Sequence, residues 1–286
     1  MKTALTIAGS DTCAGAGIQA DLKTFSANGV YGQTVITALT AQNTMGVNDV
    51  LEVPDDFFRE EIDAVCSDIF PDAVKIGMVE SSDKIKIISE EIEKYNLMHI
   101  VLDPLMISTS GHKLLQDEAV GTMTEMLFPK AELITPNIPE AEELVRRISA
   151  EVSGIVSNAN MSSTSSERDV RICIDSEEEM RNAAKTLAQK YHTNILVKGG
   201  HFDGDPIDVL HEKNGEMHVF YGKRIENKDT HGTGCVLSSA IAANLSKGFS
   251  LYEAVSRARE FLQGAIQAGL HLGHGHGPMD LFYEGE

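Results

Sequence analysis

Short apolar runs alternate with longer helical patterns along most of this 286-residue chain, and this alternation constrains the fold more than any other feature. The runs predict strands at 4–8, 34–39, 73–78, 99–103, 132–135 and 194–199. The stretches between them predict helices at 17–28, 55–67, 82–95, 116–127, 138–147 and 177–191. Strands joined through helices pair in parallel, so the sequence predicts an α/β fold: a mostly parallel central sheet with helices on both faces.

Two segments depart from the alternation. Residues 208–222 form two β-like runs around Asn214-Gly215, which predicts a hairpin with a type I′ turn. Residues 152–169 are rich in Ser and Asn, which predicts a surface insertion at about 150–172. Two more helices are predicted at about 235–247 and 250–271. Because the sequence shows no repeat and no Pro-rich linker, we expect a single domain over residues 1–286.

Composition and charge exclude several classes of function. Apolar residues make up 42% of the chain, which is enough for a packed core, and the net charge of −19 disfavours binding to nucleic acid. The N-terminal apolar run ends at Gly9, too short for a signal peptide, and no later segment reaches the length of a membrane span. The four cysteines form no C-x-x-C pair. We therefore expect a cytoplasmic protein that binds small molecules and neither nucleic acid nor membranes.

Glycines and polar side chains gather just after the predicted strands, where ligands bind in open parallel sheets. The loop at 9–17 has the spacing G-x5-G-x-G, which is neither the dinucleotide fingerprint nor a P-loop. Its glycines are expected to let backbone approach a ligand closely. Asp21 in the next helix lies at the margin of an apolar stripe and needs a partner. It either bonds to backbone as a boundary residue or orients part of the ligand site.

The stretch D-T-H-G-T-G-C, residues 229–235, holds the most specific chemistry. Gly232 and Gly234 precede a helix of small and apolar residues, whose N-terminus offers unpaired N–H groups and the positive end of the helix dipole. This arrangement predicts an anion hole suited to a transferring phosphoryl group. Cys235 is a packing thiol, a nucleophile or a proton acceptor, and the helix N-terminus is expected to lower its pKa.

These stretches also resemble a known family. The segments ALTIAGSD, GAGIQADLKTF, VITALTAQNT, KIGM, VLDPLM, LITPNIPEAEEL, LVKGGH and DTHGTGC run in the same order as in the hydroxymethylpyrimidine/phosphomethylpyrimidine kinases of the ribokinase-like superfamily. The resemblance covers nearly the whole chain apart from 150–176. It implies a ribokinase-like fold, a homodimer, and the use of ATP and Mg²⁺ to phosphorylate a pyrimidine alcohol and then its monophosphate in thiamin biosynthesis.

The resemblance assigns roles to individual positions. The substrate-binding residues are expected to be Gly9, Asp11, Asp21, Gln42 and Met78. The residues at ATP or its phosphates are expected to be Asp103, Asn137, Lys198 and Thr230, with Glu140 at the magnesium ion. Gly232, Thr233 and Gly234 would form the anion hole. The amide of Gln42 matches the donor and acceptor of an aminopyrimidine edge. Cys235, where the wider superfamily has Asp, would take the proton of the hydroxymethyl group.

The chain departs from the family pattern in its first loop. That loop reads DTCAGAG where the family commonly has Pro-Ser-Gly-Gly after the aspartate, so Cys13 and Ala14 are expected to alter its flexibility. The segment HLGHGHGP at 271–278 is expected to be a glycine-rich turn rather than a metal site.

Three other functions compete with the pyrimidine kinase. A pyridoxal kinase would use the Cys235 thiol to add to the aldehyde of its ligand. Ser110 stands where some pyridoxal-phosphorylating relatives carry a second cysteine, which favours the pyrimidine. A catalytically inactive pyrimidine-sensing module would not need Lys198, Asn137 and Glu140. A cysteine hydrolase built on His231 and Cys235 lacks an evident orienting Asn or Asp.

Overall fold

The structure is a computed structural model that describes residues 1–106, 115–152, 172–200, 202 and 204–283. Its strands are Thr3–Asp11 (β1), Tyr31–Asn43 (β2), Gly46–Glu52 (β3), Ala73–Ile76 (β4), Ile100–Leu102 (β5), Leu133–Ile134 (β6), Asn194–Gly199 (β7), Ile207–His211 (β8) and Met217–Tyr221 (β9). Its helices are Gly17–Ala27 (α1), Asp55–Asp68 (α2), Ser82–Tyr95 (α3), Asp117–Met126 (α4), Ile138–Val152 (α5), Glu177–Tyr191 (α6), Thr233–Ser246 (α7) and Leu251–Ala268 (α8).

The strands form one sheet of order β3-β2-β1-β4-β5-β6-β7-β8-β9. The central pairs from β2 through β1, β4, β5 and β6 to β7 are parallel. The pairs at the two edges, β2 with β3 and β7 with β8 and β9, are antiparallel. The prediction of a mostly parallel sheet is therefore confirmed, and the carboxyl ends of the parallel strands meet at one edge.

Side chains of the central strands alternate between two apolar layers, one on each face of the sheet. In β1, Leu5 and Ile7 join the cluster covered by α2 to α6, whereas Ala4 joins the cluster covered by α1, α7 and α8. β7 repeats the pattern, with Val197 on the first side and Leu196 on the second. This period of two places helices on both faces, as predicted. Among the described helices, none is long and apolar enough to cross a membrane.

Local capping signals place several helix ends where the sequence predicts them. The hydroxyls of Ser81, Ser176 and Ser250 accept backbone N–H bonds at the starts of α3, α6 and α8. Serine at the N-cap satisfies one of the donors that a helix leaves unpaired, so these starts are encoded locally.

The structure corrects the sequence analysis in three places. β3 was not predicted at all. The hairpin of β8 and β9 is confirmed, but Gly215 has a positive φ (+96°) and Asn214 does not, so the predicted type I′ turn is wrong. α5 continues to Val152, five residues past its predicted end at 147 and into the range predicted as an insertion. The rest of that range, from 153 to 171, and Ser110 lie outside the described residues.

Candidate active site

The glycines before α7 are required by their surroundings. Gly232 caps the helix with φ +84°, and a Cβ on it would lie 1.9 Å from the carbonyl oxygen of Gly15. A Cβ on Gly234 would lie 3.2 Å from Oδ2 of Asp103 and 3.4 Å from Nζ of Lys198. The start of α7 therefore packs against the loop after β1 on one side and faces a carboxylate and an ammonium on the other. The predicted anion hole and two predicted phosphate-binding residues lie together.

Asp103 and Lys198 form an ion pair at the ends of β5 and β7. Nζ of Lys198 lies 2.6 Å from Oδ1 of Asp103, and the hydroxyl of Thr135 donates to the same oxygen at 3.1 Å. Oδ2 of Asp103 is buried, and no described residue bonds to it. Because an unpaired buried carboxylate oxygen is costly, this atom is suited to a cation or a proton donor supplied by a ligand.

Asn137 and Glu140 form a capping box at the start of α5. The side chain of Asn137 accepts the N–H of Glu140, and Glu140 accepts the N–H of Asn137, both at 2.9 Å. The other oxygen of Glu140 accepts the N–H of Met106 at 3.3 Å. Burial raises the pKa of Glu140 to about 7, against the opposing effect of the Lys198 ammonium. The motif predicted for magnesium and phosphate thus also holds the helix end.

Cys235 lies in the first turn of α7 and is 7% exposed. Burial raises the pKa of its thiol, and the carboxylates of Asp21 and Asp103 raise it further. The ammonium of Lys75 and the N–H of Gly17 act in the opposite direction without cancelling the burial. The prediction that the helix N-terminus lowers this pKa is therefore wrong, because it left out the cost of burying a thiolate.

Asp21, which the resemblance places among the substrate-binding residues, does not reach the surface of the site in this structure. It is fully buried, and Oδ2 binds Nζ of Lys75 at 2.8 Å and the hydroxyl of Thr6 at 2.6 Å. Oδ1 accepts the hydroxyl of Ser239, one turn after Cys235, at 2.6 Å. Asp21 is thus anchored below the site, where it holds Lys75.

Lys75 is the functional candidate that the sequence analysis missed. It is fully buried in β4, and its ammonium favours the Cys235 thiolate. A signal existed, because a lysine inside the apolar run AVKIGM has to find a buried partner.

Gly9 and Met78 lie close together, near the carboxyl ends of β1 and β4. A Cβ on Gly9 would lie 2.7 Å from Cε of Met78, so glycine leaves room for the methionine side chain. The backbone of Met78 is held by the hydroxyl of Thr37 in β2, which donates to its carbonyl at 2.8 Å. Met78, just after β4, is therefore held between Gly9 in β1 and Thr37 in β2.

His231 links two predicted substrate-binding residues, Asp11 and Gln42. Its Nε2 lies 2.9 Å from Oδ2 of Asp11 and 3.1 Å from Nε2 of Gln42. Burial raises the pKa of Asp11, but bonds to His231 and to the backbone of Ala16 and Cys13 outweigh it and lower that pKa to about 2. A charged Asp11 therefore accepts the proton of His231 Nε2, and the ring lies against the Gln42 carboxamide.

The glycine-rich segment near the C-terminus packs beside this network. The carbonyl of Gly277 accepts the N–H of His231 at 3.1 Å, and Asp229 binds the backbone of His271 at 2.6 Å. Among the described residues, its histidines join none of the possible metal-ligand groups. Thr230 lies in the adjoining loop, where its carbonyl accepts the N–H of Thr233 at 3.4 Å.

Sequence comparison identifies the family. The model of the phosphomethylpyrimidine kinase family matches residues 11–170 and 164–280. The chain belongs to this family. The hydroxymethylpyrimidine/phosphomethylpyrimidine kinase of Escherichia coli is 40% identical over 98% of the chain and 97% of its own length. The thiamine biosynthesis bifunctional protein ThiED of Geobacter sulfurreducens is 44% identical over 96% of the chain, which spans only 51% of that longer protein.

Solved structures agree with this membership. The phosphomethylpyrimidine kinase of Clostridium difficile superposes with a TM-score of 0.75 at 41% identity, over 93% of this chain and 100% of that one. The pyridoxal kinase of Staphylococcus aureus, in complex with AMP-PCP and pyridoxal, gives a TM-score of 0.80 at 31% identity, over 99% and 94% of the two chains. The predicted ribokinase-like fold and the predicted enzyme class, a phosphotransferase, are confirmed.

Proposed function

We propose that this phosphomethylpyrimidine kinase family member phosphorylates 4-amino-5-hydroxymethyl-2-methylpyrimidine with ATP, and then its monophosphate to the diphosphate, in thiamin biosynthesis. One observation carries the proposal. The glycine-rich start of α7 lies between the Lys198–Asp103 pair on one side and the loop that carries Asp11 on the other. A phosphoryl group at this helix end would have N–H donors ahead of it and an alcohol pocket beside it.

Cys235 is proposed as the base that takes the hydroxyl proton. Because burial raises the pKa of its thiol, Cys235 must first lose its own proton before it can act as the base. Lys75 favours the thiolate, whereas Asp21 and Asp103 disfavour it. Neutralising Asp103 would therefore remove one of these two opposing charges. The N–H groups of Gly232, Thr233 and Gly234 would stabilise charge on the phosphoryl group.

Magnesium fits the donor set at the phosphate end. Oδ2 of Asp103 is a hard oxygen ligand, and no described residue bonds to it. Glu140 lies nearby, and we propose that its carboxylate, which also holds the backbone N–H groups of Asn137 and Met106, contributes negative charge at the ion. The ion would supply positive charge against the phosphates of ATP. Lys198, Asn137 and Thr230 remain our proposed ATP- or phosphate-binding residues.

Gln42 is proposed to select the pyrimidine. Its carboxamide can donate to a ring nitrogen and accept from an exocyclic amine, and the contact with His231 orients it. Met78 and Gly9 would form the wall against which the flat ring packs. Pyridoxal is the second candidate substrate, because the chain is similar over nearly its whole length to a pyridoxal kinase of known structure.

A coupled assay tests the proposal. The protein is incubated with ATP, magnesium and either the pyrimidine alcohol, its monophosphate or pyridoxal, while ADP and the phosphorylated product are measured. We expect turnover of both pyrimidines to exceed that of pyridoxal. Cys235→Ala should lower kcat by about 10²–10⁴-fold, the usual contribution of a general base, and retain pyrimidine binding. Cys66→Ala, which alters a buried cysteine of α2, is the matched control. Near-normal turnover by Cys235→Ala, or no turnover by the unaltered protein, would contradict the assignment.

We also propose that the protein forms a homodimer through the β2–β3 edge. All residues of β3 are exposed, and Val47 (55%), Val50 (48%) and Leu51 (68%) leave apolar surface uncovered, next to Met45 (71%). A contiguous apolar surface on an edge strand is typical of an interface, and a second copy of the chain would cover it symmetrically. Sedimentation should report a dimer that Leu51→Lys converts to a monomer. A monomeric unaltered protein would refute the dimer.

A cytoplasmic location completes the proposal. All four cysteines are free thiols, as expected in a reducing compartment. Cell fractionation with a cytoplasmic marker enzyme provides the test.

A further inference from the structure

Cys13, where the chain departs from the family pattern, belongs to a cluster of three side chains of different chemistry. Its Sγ lies 3.4 Å from Oδ2 of Asp11, and Nε2 of His231 lies 2.9 Å from that same oxygen. One ligand atom from each of these three residues lies within 4.8 Å of the other two. The loop after β1 supplies Asp11 and Cys13, and the loop before α7 supplies His231, so the fold brings the cluster together from distant parts of the sequence.

This combination of sulfur, nitrogen and oxygen is typical of zinc ligands. Zinc binds cysteine, histidine and carboxylate at about 2.0–2.3 Å in a tetrahedron, which places neighbouring ligand atoms roughly 3–4 Å apart. The two measured spacings differ from that range by at most a few tenths of an ångström. Magnesium instead prefers an octahedron of oxygens, so this cluster differs in kind from the oxygen site at Asp103.

The surroundings already hold the ligands in place and leave access from solvent. Asp11 accepts N–H bonds from Cys13 at 2.9 Å, Gly15 at 3.1 Å and Ala16 at 2.9 Å, which fixes its carboxylate as outer-shell partners fix metal ligands. The side chain of Asp11 is 4% exposed and that of His231 is 19% exposed, while Cys13 is partly exposed. The only cation near Cys13 in its own helix and loop, Lys23, donates to the carbonyl of Ala14 rather than entering the cluster.

We propose that Asp11, Cys13 and His231 form a zinc-binding site beside the alcohol pocket, and that zinc occupancy inhibits binding of the alcohol. On binding, the Cys13 thiol releases its proton to solvent and neutral His231 uses the lone pair of Nε2. Because the nitrogen of the Gln42 carboxamide lies only 3.1 Å from Nε2 of His231, a zinc ion on Nε2 would displace that carboxamide from its position. Zinc binding stands on the cluster alone, whereas the inhibition rests on the proposed function of Gln42.

The binding test uses the full-length protein with Co²⁺ as a spectroscopic probe and Zn²⁺ as competitor. Thiolate ligation gives a sulfur-to-cobalt charge-transfer band. We expect one equivalent of Co²⁺ to produce this band and Zn²⁺ to abolish it. Cys13→Ser, which restores the serine that the family commonly has, should lose the band and weaken zinc binding at least tenfold. Cys235→Ala, which removes the other thiol near the site, should keep the band.

Two results would overturn the site. One is an unchanged band in Cys13→Ser, which would mean that another thiol binds the metal. The other is the absence of any band from the unaltered protein up to millimolar Co²⁺, which would mean that the three contacts serve only as loop hydrogen bonds. Both readouts are independent of kinase activity.

The inhibition is tested separately in steady-state kinetics with buffered free Zn²⁺. Zinc should raise KM for the pyrimidine alcohol at least tenfold with little change in KM for ATP, and Cys13→Ser should be insensitive while turning over normally. Equal inhibition of Cys13→Ser would place the inhibitory metal elsewhere and refute the regulatory role. If no alcohol is turned over, the proposed function fails, while the cobalt result still decides whether the metal site exists.

Discussion

Two buried lysine–aspartate pairs lie near Cys235, and they differ in how completely their carboxylates are hydrogen-bonded. In the inner pair, Lys75 and Asp21 are both 0% exposed, and Thr6 and Ser239 complete the hydrogen bonds of the carboxylate. In the outer pair, Lys198 is 13% exposed and Asp103 is 2% exposed, and Oδ2 of Asp103 has no partner among the described residues. Both carboxylate oxygens of the inner pair have partners within the protein, whereas one carboxylate oxygen of the outer pair, beside the helix end, has none among the described residues.

This difference indicates that the two pairs have different roles, one in stability and the other in ligand binding. A buried ion pair with satisfied hydrogen bonds is costly to break but offers nothing to a ligand. An ion pair with a free oxygen next to N–H donors is suited to bind and orient charge. We therefore expect the inner pair to govern stability and the outer pair to govern turnover. Four experiments test this difference.

The largest expected effect is on stability, in Lys75→Met. Removing one partner of a fully buried pair leaves Asp21 charged and unpaired, which should cost about 3–5 kcal/mol of unfolding free energy. Urea denaturation followed by circular dichroism measures it. Lys86→Met, which alters an exposed ion pair with Asp83, is the control for the loss of one positive charge. Equal losses in the two variants would refute the special role of the inner pair.

The next effect is on turnover, in Lys198→Met. Loss of one positioned donor to a developing charge typically lowers kcat by about 10²–10³-fold, and we expect that here with a stability loss well below that of Lys75→Met. Steady-state kinetics and denaturation of the same preparation measure both. Lys190→Met, which alters an exposed ion pair with Glu151, controls for loss of charge. A variant that loses stability and keeps kcat would reverse the assignment of the outer pair.

A smaller effect concerns the reactivity of Cys235. The Asp103 carboxylate raises the pKa of this thiol, so Asp103→Asn should lower that pKa and speed alkylation of Cys235 at neutral pH several-fold. Quantifying the labelled peptide by mass spectrometry separates this site from Cys66, whose pKa burial raises to about 11. Slower alkylation of Cys235 in the variant would contradict the proposed electrostatic coupling.

The smallest effect is the pH dependence contributed by Glu140, which lies beside the outer pair. Its pKa in the folded protein, about 7, lies above the ordinary 4.5, so the folded state holds the proton more tightly. This stabilisation is complete below pH 4.5 and is lost as the pH rises through about 7. Glu140→Gln should flatten the fall in unfolding free energy between pH 5 and pH 8, at a cost of about 1 kcal/mol for the weakened cap. An unchanged slope would show that other groups cause it.

The sequence predicts those parts of this contrast that depend on local patterns. The helices at 82–95 and 177–191 begin and end as predicted, because Ser81 and Ser176 cap them from within the same segment. The sequence also places Asp103 and Lys198 after strands whose carboxyl ends meet at one edge, but it does not predict the ion pair between them. Membership of the family supports the predicted fold, but it does not by itself give the position of any side chain.

What the sequence did not predict depends on residues that are distant along the chain. β3 consists of exposed residues and is a strand only because it pairs with β2. The inner pair joins residues 54 positions apart, and the sequence around either residue does not indicate which residue is its partner. The raised pKa of Cys235 follows from burial by several elements, which a helix dipole read from the sequence does not include.

The contact between the glycines at 15 and 232 has a consequence for how this protein can evolve. A Cβ on Gly232 would lie 1.9 Å from the oxygen of Gly15, and a Cβ on Gly15 would lie 2.4 Å from the His231 ring. The backbone of one loop therefore excludes a side chain at position 232, and the ring of His231 excludes one at position 15. A single exchange of either glycine would require a shift of backbone or of His231, whereas variation can enter beside this contact, as at Cys13.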